Sequence, residues 1–267
     1  MSGRKRNFMN FENQTVVITG GASGIGLAVA HLIKKNNGTP LLLDMDLKKL
    51  NKAKKTLNLT DSIFEVDVSN EKELNNCLDF ALEKLPPIKG LVCSAGKAPI
   101  PKRIEDTELN EWNSIIESHL TGTFLSCKIF GGQIAKIGGG SIVNISSVVG
   151  FNPGPVLAYG AAKGAIINLS KSLSVQWASS NIRVNAVAPG WTNTPLLQPE
   201  ERKEKRDLTP ILKAVPQKRL MHPNEIAELI YFLLSQNSSS ITGSIINCDG
   251  GTLAGAGWPP YGGFPDD

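Results

Sequence analysis

Thr15-Val16-Val17-Ile18-Thr19-Gly20-Gly21-Ala22-Ser23-Gly24-Ile25-Gly26 is the stretch from which the fold of this chain follows. Five β-branched residues in a row read as a short buried strand, and the run stops at a cluster of glycines. Beyond it Ala28, Val29, Leu32 and Ile33 recur at helical spacing. The unit is therefore strand, glycine turn, helix. Glycines at 20, 24 and 26, with Ser23 and Ile25 between them, let the backbone turn tightly and approach a pyrophosphate, whose charge is favoured by the amides of a helix N-terminus.

Working downstream, Pro40-Leu41-Leu42-Leu43 is a second apolar strand and ends in Asp44, about 20 residues on, where a ribose-binding acid is expected. Asp44 also suits an acid at the N-terminus of the helix expected over Leu47 to Leu57, and the two roles are compatible. Further strands are expected at 62–66, 90–93, 141–145, 183–187 and 244–247. Helices lie between them, including residues 70–84 with Leu74, Leu78, Ala81, Leu82 and Leu85 on the apolar side, a long helix 112–136 and a helix 158–178. Strands alternating with helices at this spacing imply an α/β fold, a doubly wound Rossmann domain whose parallel sheet of about seven strands is covered on both faces. Ligands of such sheets bind beyond the strand C-termini. Asp44, Asp67, Ser94, Ser147 and Pro189 all fall there.

One pair of residues carries chemistry. Tyr159 and Lys163 lie four apart, so on a helix both side chains leave the same face. Forming phenolate at neutral pH costs a free tyrosine about 4 kcal/mol, and a neighbouring ammonium lowers that cost. Beside an alcohol such a tyrosine takes the hydroxyl proton, and beside a carbonyl it returns it.

Composition narrows the class. The 267 residues carry a net charge of +4 with 41% hydrophobic content, and no linker composition interrupts them, so a single domain over 1–267 is expected. Charges are interspersed rather than gathered in a basic stripe, which argues against a nucleic-acid partner. Cys77, Cys93, Cys127 and Cys248 lack metal-ligand spacing; free thiols in a reducing cytoplasm and no metal are expected. No apolar run approaches the length of a membrane span. Residues 1–10, with Arg4-Lys5-Arg6, read as a flexible arm; 195–215, charged between Leu196-Leu197 and Ile211-Leu212, as a lid over the substrate; and 252–267 as a C-terminal tail too irregular for a helix and too aromatic for idle coil.

Taken together these residues resemble the short-chain dehydrogenases/reductases, collinearly from Thr15 to Gly251. The shared elements are Thr19-Gly20-x-x-x-Gly24-x-Gly26, Asp67-Val68, Ser94-Ala95-Gly96, Ser147, Tyr159-x-x-x-Lys163, Pro189-Gly190 with Thr194, and Asp249-Gly250-Gly251. The resemblance implies an NAD-dependent oxidoreductase acting on a small or cyclic secondary alcohol or its ketone. Tyr159 is then the general acid/base, and Lys163 holds the nicotinamide ribose and lowers the tyrosine pKa. Ser147 binds the substrate oxygen, with Ser146 turned to the core. Asp67 and Val68 contact adenine, and the segment Pro189, Gly190, Thr192, Thr194 fixes the carboxamide. Asp44 followed by Met45, which offers no positive charge, favours NAD over NADP. The family's dimer bundle corresponds to helices 112–136 and 158–178, where Phe130, Ile166, Leu173 and Trp177 exceed what one sheet face requires; a homotetramer is expected.

The chain also departs from the family. Cys93-Ser94 stand where two asparagines are usual, so amide contacts there are lost. His119 occupies the position of a catalytic asparagine in the proton relay. It is expected to act as the neutral imidazole, giving an acid limb near its ordinary value of 6.5. These departures leave an alternative, a catalytically idle NAD-binding regulator or scaffold. Enoyl reduction goes with a wider Tyr to Lys spacing.

Overall fold

The computed structural model describes residues 11–198, 207–258, 260 and 263. The expected N-terminal arm, residues 199–206 of the expected lid, and most of the aromatic end of the tail lie outside these residues.

Seven strands form one sheet in the order β3-β2-β1-β4-β5-β6-β7, and every pairing is parallel. They are β1 (Thr15–Thr19), β2 (Thr39–Asp44), β3 (Ile63–Glu65), β4 (Ile88–Cys93), β5 (Gly140–Ile145), β6 (Ile182–Pro189) and β7 (Ile245–Cys248). Because successive side chains point to opposite faces, a strand buried on both sides must be apolar throughout. In β1, Val16 and Ile18 enter one core cluster and Val17 the other; in β2, Leu42 enters the first, Leu41 and Leu43 the second.

Helices α1 (Gly24–Lys35) and α9 (Pro223–Leu234) pack together over the first cluster, with α2 (Leu47–Leu57) beside α1. The second cluster lies under α3 (Glu71–Lys84) and a helical run over 109–136. In α3 the buried stripe is Leu74, Cys77 and Ala81. Leu82, expected on that side, is 52% exposed because it lies off the 74–77–81 row.

The expected long helix is built in five pieces: α4 (Leu109–Ile116), α5 (Gly122–Ser126) and α6 (Gly132–Lys136), joined by π-helical turns at Glu117–Thr121 and Cys127–Gly131. Such wide turns insert a residue and re-aim side chains, often at functional sites. The first turn holds His119. Next comes α7 (Leu157–Gln176), which crosses from β5 to β6.

Two local expectations are corrected. Asp46, not Asp44, caps α2, its carboxylate accepting the Lys49 amide at 3.0 Å. The start of the tail is helical, as α10 (Thr252–Gly255), because the Asp249 carboxylate accepts the amides of Gly251 and Leu253 at 2.9 Å each. Of the expected lid, Thr209–Ala214 forms helix α8.

Candidate active site

A cavity of about 920 Å³ opens along the C-terminal ends of β1 to β6. At its centre stands α7. Its first turn presents Tyr159 and, one turn later, Lys163, whose Nζ lies 5.4 Å from the Tyr159 ring centroid. The same lysine staples the helix to β5. Its Nζ donates to the Ile145 carbonyl at 2.6 Å, and its own carbonyl accepts the Ser146 hydroxyl at 2.9 Å. Ser146 is thereby turned into the core. Ser147 lines the cavity beside Tyr159; its Oγ accepts the Val149 amide at 3.4 Å, and its hydroxyl acts to lower the pKa of the phenol.

Electrostatics at these groups follow burial. Desolvation raises the Tyr159 phenol, opposed by the Ser147 hydroxyl, and pushes the Lys163 amine down to about 7. Lys163 is therefore partly charged at neutral pH, while the shift of the phenol itself follows burial and Ser147.

His119 is 2% exposed. Its Nε2 lies 2.9 Å from the Lys97 carbonyl oxygen, a pure acceptor, so Nε2 carries the proton. Nδ1 is then an acceptor, and it has no partner among the described residues. Desolvation first and the Lys163 charge second push the imidazole down to about 3. The ordinary value of 6.5 assumed from sequence does not apply to a ring this buried.

Around the glycine turn the structure offers a cradle. The loop passes so close to α1 that a Cβ at Gly26 would be driven into the Gly20 carbonyl oxygen, so Gly26 packs helix on turn and does not line the cavity. Gly20, Ser23, Gly24 and Ile25 do line it, and Ser23 makes no side-chain cap hydrogen bond at the start of α1. Asp44 accepts the Ala22 amide at 3.3 Å and the Asp46 amide at 3.1 Å, leaving acceptor capacity for ribose hydroxyls. Burial is the largest influence on Asp44 and raises its carboxyl, while those amides act against it. Met45, Asp67 and Val68 follow along the rim. Asp67 is pushed up by burial but held below its usual range by Ser69 and the Lys97 ammonium. Ser94 turns its hydroxyl away, donating to the Thr19 carbonyl at 2.5 Å, while Ala95 and Gly96 line the cavity. Pro189, Gly190, Thr192 and Thr194 close the far side.

The family model described as "Enoyl-(Acyl carrier protein) reductase" matches residues 20–252. An uncharacterized short-chain type dehydrogenase/reductase of Sinorhizobium fredii is 34% identical over 90% of this chain. The chain belongs to the short-chain dehydrogenase/reductase family.

The match to that Sinorhizobium relative spans 44% of the relative's own length. A cis-4-hydroxycyclohexanecarboxylate dehydrogenase of Sinomonas cyclohexanicum is 33% identical, with 91% of this chain and 98% of the relative covered. Among solved structures, a 3-oxoacyl-[acyl-carrier protein] reductase of Brucella melitensis with bound NAD superposes with a TM-score of 0.82. It is 29% identical, covering 92% of this chain and 94% of that one. As a short-chain dehydrogenase/reductase the chain is an oxidoreductase that uses a nicotinamide cofactor.

Some cavity residues escaped sequence reasoning. Lys49 lines the cavity near the end of β2, and its Nζ lies 3.4 Å from Asp46. Leu253 reaches the cavity through the Asp249 turn, which packs against Gly190. An acid two and four residues ahead of free amides was the available signal for that turn.

Proposed function

We propose that this chain is an NAD-dependent oxidoreductase that interconverts a small or cyclic secondary alcohol and its ketone. The observation that carries the reading is the convergence of Ser147, Tyr159 and Lys163 on one cavity at the end of β5. The cofactor supplies or accepts hydride at the substrate carbon. The residues fit it: Ser23, Gly24 and Ile25 at the start of α1 suit the pyrophosphate, Asp44 the adenosine ribose, Asp67 and Val68 the adenine, and Pro189 to Thr194 the carboxamide.

In the reducing direction Ser147 holds the carbonyl oxygen and Tyr159 gives it a proton; in the oxidising direction Tyr159 takes the hydroxyl proton. Burial favours the neutral phenol, so reduction starts with the proton in place. Lys163 takes up charge as the phenol loses its own, a coupled titration. His119 supplies the unpartnered Nδ1 as an acceptor for a relay water, so the proton reaches solvent without charging the imidazole.

Asp44 and Met45 favour NAD, and the substrate-side chemistry favours ketone over enoyl reduction through the Tyr159-x-x-x-Lys163 spacing. As for assembly, a cytoplasmic single-domain subunit in a homotetramer is the reading. Phe130 and Ile166 are fully buried within the chain and so offer no contact surface, while Leu173 and Trp177 are partly buried against the Phe130 core. Leu109, Trp112, Phe124, Leu157 and Val175 supply the exposed apolar surface on the two helical runs.

The test is absorbance at 340 nm with NAD and a panel of secondary alcohols, alongside Tyr159→Phe. Turnover that Tyr159→Phe lowers by about 100-fold or more supports the reading. Tight NADH binding with no turnover across the panel favours the idle alternative.

A further inference from the structure

The charged groups of the active-site cavity are unevenly placed. Among the described residues its charged lining groups are Asp44, Asp46, Lys49, Asp67, Lys97 and Lys163. The first three stand at the end of β2, three strand spacings from β5, or roughly 14 Å from Ser147 at ~4.8 Å per spacing. Lys97 donates to the Ser114 hydroxyl at 2.9 Å and exerts its field on Asp67, so its ammonium faces the adenosine end. Lys163 is spent on the Ile145 carbonyl.

The other end, beyond Ser147 and Tyr159, is walled by Pro155, Val156, Trp191, Leu197 and Leu253. Pro99, Pro101 and Pro153 also line the cavity. Prolines have no amide hydrogen, so at these positions the wall offers no backbone donor of the kind with which proteins bind anions. Asn152 is the polar side chain on the same 149–156 segment. Among the described residues this end offers a carboxylate, sulfonate or phosphate no counter-charge in exchange for the water it loses.

We infer that the substrate is a neutral, apolar ketone or its secondary alcohol, bound through its one oxygen by Ser147 and Tyr159 with its hydrocarbon body against the proline-rich wall. The inference rests on the carbonyl chemistry proposed above. It parts this chain from the Sinomonas relative, whose name specifies a carboxylate.

The experiment compares 4-methylcyclohexanone with 4-oxocyclohexanecarboxylate, a pair alike in ring size and carbonyl. Each is assayed for NADH oxidation by the full chain, and its binding to the chain saturated with NADH is measured by calorimetry. The methyl ketone is expected to win by about 100-fold or more in kcat/KM, and to bind more tightly. Val156→Arg, which places a cation on the wall, is expected to narrow that ratio by about 10-fold or more. Equal or better use of the carboxylate overturns the inference and leaves the oxidoreductase reading intact; loss of that carboxylate activity in Lys97→Ala would identify Lys97 as its anchor. Preferred binding of the methyl ketone with oxidation of NADH by neither compound supports the apolar site and overturns the hydride-transfer reading. Binding of neither ketone sinks the inference.

Discussion

The imidazole of His119 stands edge-on to the Tyr159 ring, with centroids 4.9 Å apart and planes at 81°. Its Nε2–H is committed to the Lys97 carbonyl, and its Nδ1 meets no donor among the described residues. With the imidazole pushed down to about 3, the residue is neutral throughout the working range. The pH profile of kcat between pH 5 and 8 is therefore expected to owe nothing to His119 titration. His119→Asn, which keeps a donor and an acceptor, is expected to stay within about threefold of wild type, and His119→Leu to lose about 100-fold in kcat. Wild-type kcat in His119→Leu would make the residue merely structural.

Stability should register the two buried bases in different windows. For His119 the folded value lies below the ordinary one, so the unfolded chain binds the extra proton and stability falls as pH drops from about 6.5 towards 3. For Lys163 the folded value of about 7 lies below the ordinary one near 10.4, so stability of the cofactor-free protein rises with pH between them. Denaturant titrations at pH 5, 7 and 9 check this. His119→Asn should flatten the acid side and Lys163→Met the alkaline side.

Gly96 and His119 are sterically coupled. A Cβ at position 96 would be driven into Cε1 and Nδ1 of the ring, which is itself pinned to Lys97. Gly96→Ala is expected to destabilise by about 1–3 kcal/mol through overpacking and to lower activity by displacing the ring. Combining it with His119→Ser should recover most of the lost stability. Simple additivity in that double-mutant cycle would show that the two sites do not touch.

On the proposed reading Asp44 is expected to bar NADP, with Lys49 beside it. Two like charges about 4 Å apart repel by roughly 4 kcal/mol at an effective dielectric near 20, which disfavours a 2′-phosphate beside Asp44. Lys49 lines the same end of the cavity and already acts on Asp44. Fluorescence titrations with NADH and NADPH should show NADH bound more tightly by about 100-fold, a gap that Asp44→Ser closes and Asp44→Ser/Lys49→Ala reopens in part. Comparable affinities in the wild-type protein would remove Asp44 from this role.

What the sequence determined by itself is the part governed by local periodicity and covalent limits. Runs such as Val16-Val17-Ile18 are apolar at every position because both faces of a parallel strand are buried, and that pattern was legible as a seven-strand doubly wound sheet. The glycines of the first turn, Asp44 at a strand end and the pairing of Tyr159 with Lys163 one helical turn apart were legible for the same reason. Only the tertiary structure decided what depends on strand order and on which partner reaches a side chain first. It turned Lys97 to Ser114 and Asp67, and took Phe130 and Ile166 into the core rather than to a subunit boundary. It brought Lys49 and Leu253 to one cavity. It also set the His119 ring between Gly96 and Tyr159, where burial rather than its intrinsic basicity fixes its charge. These contacts join residues far apart in the chain through the β3-β2-β1-β4-β5-β6-β7 order, and no local period encodes such an encounter.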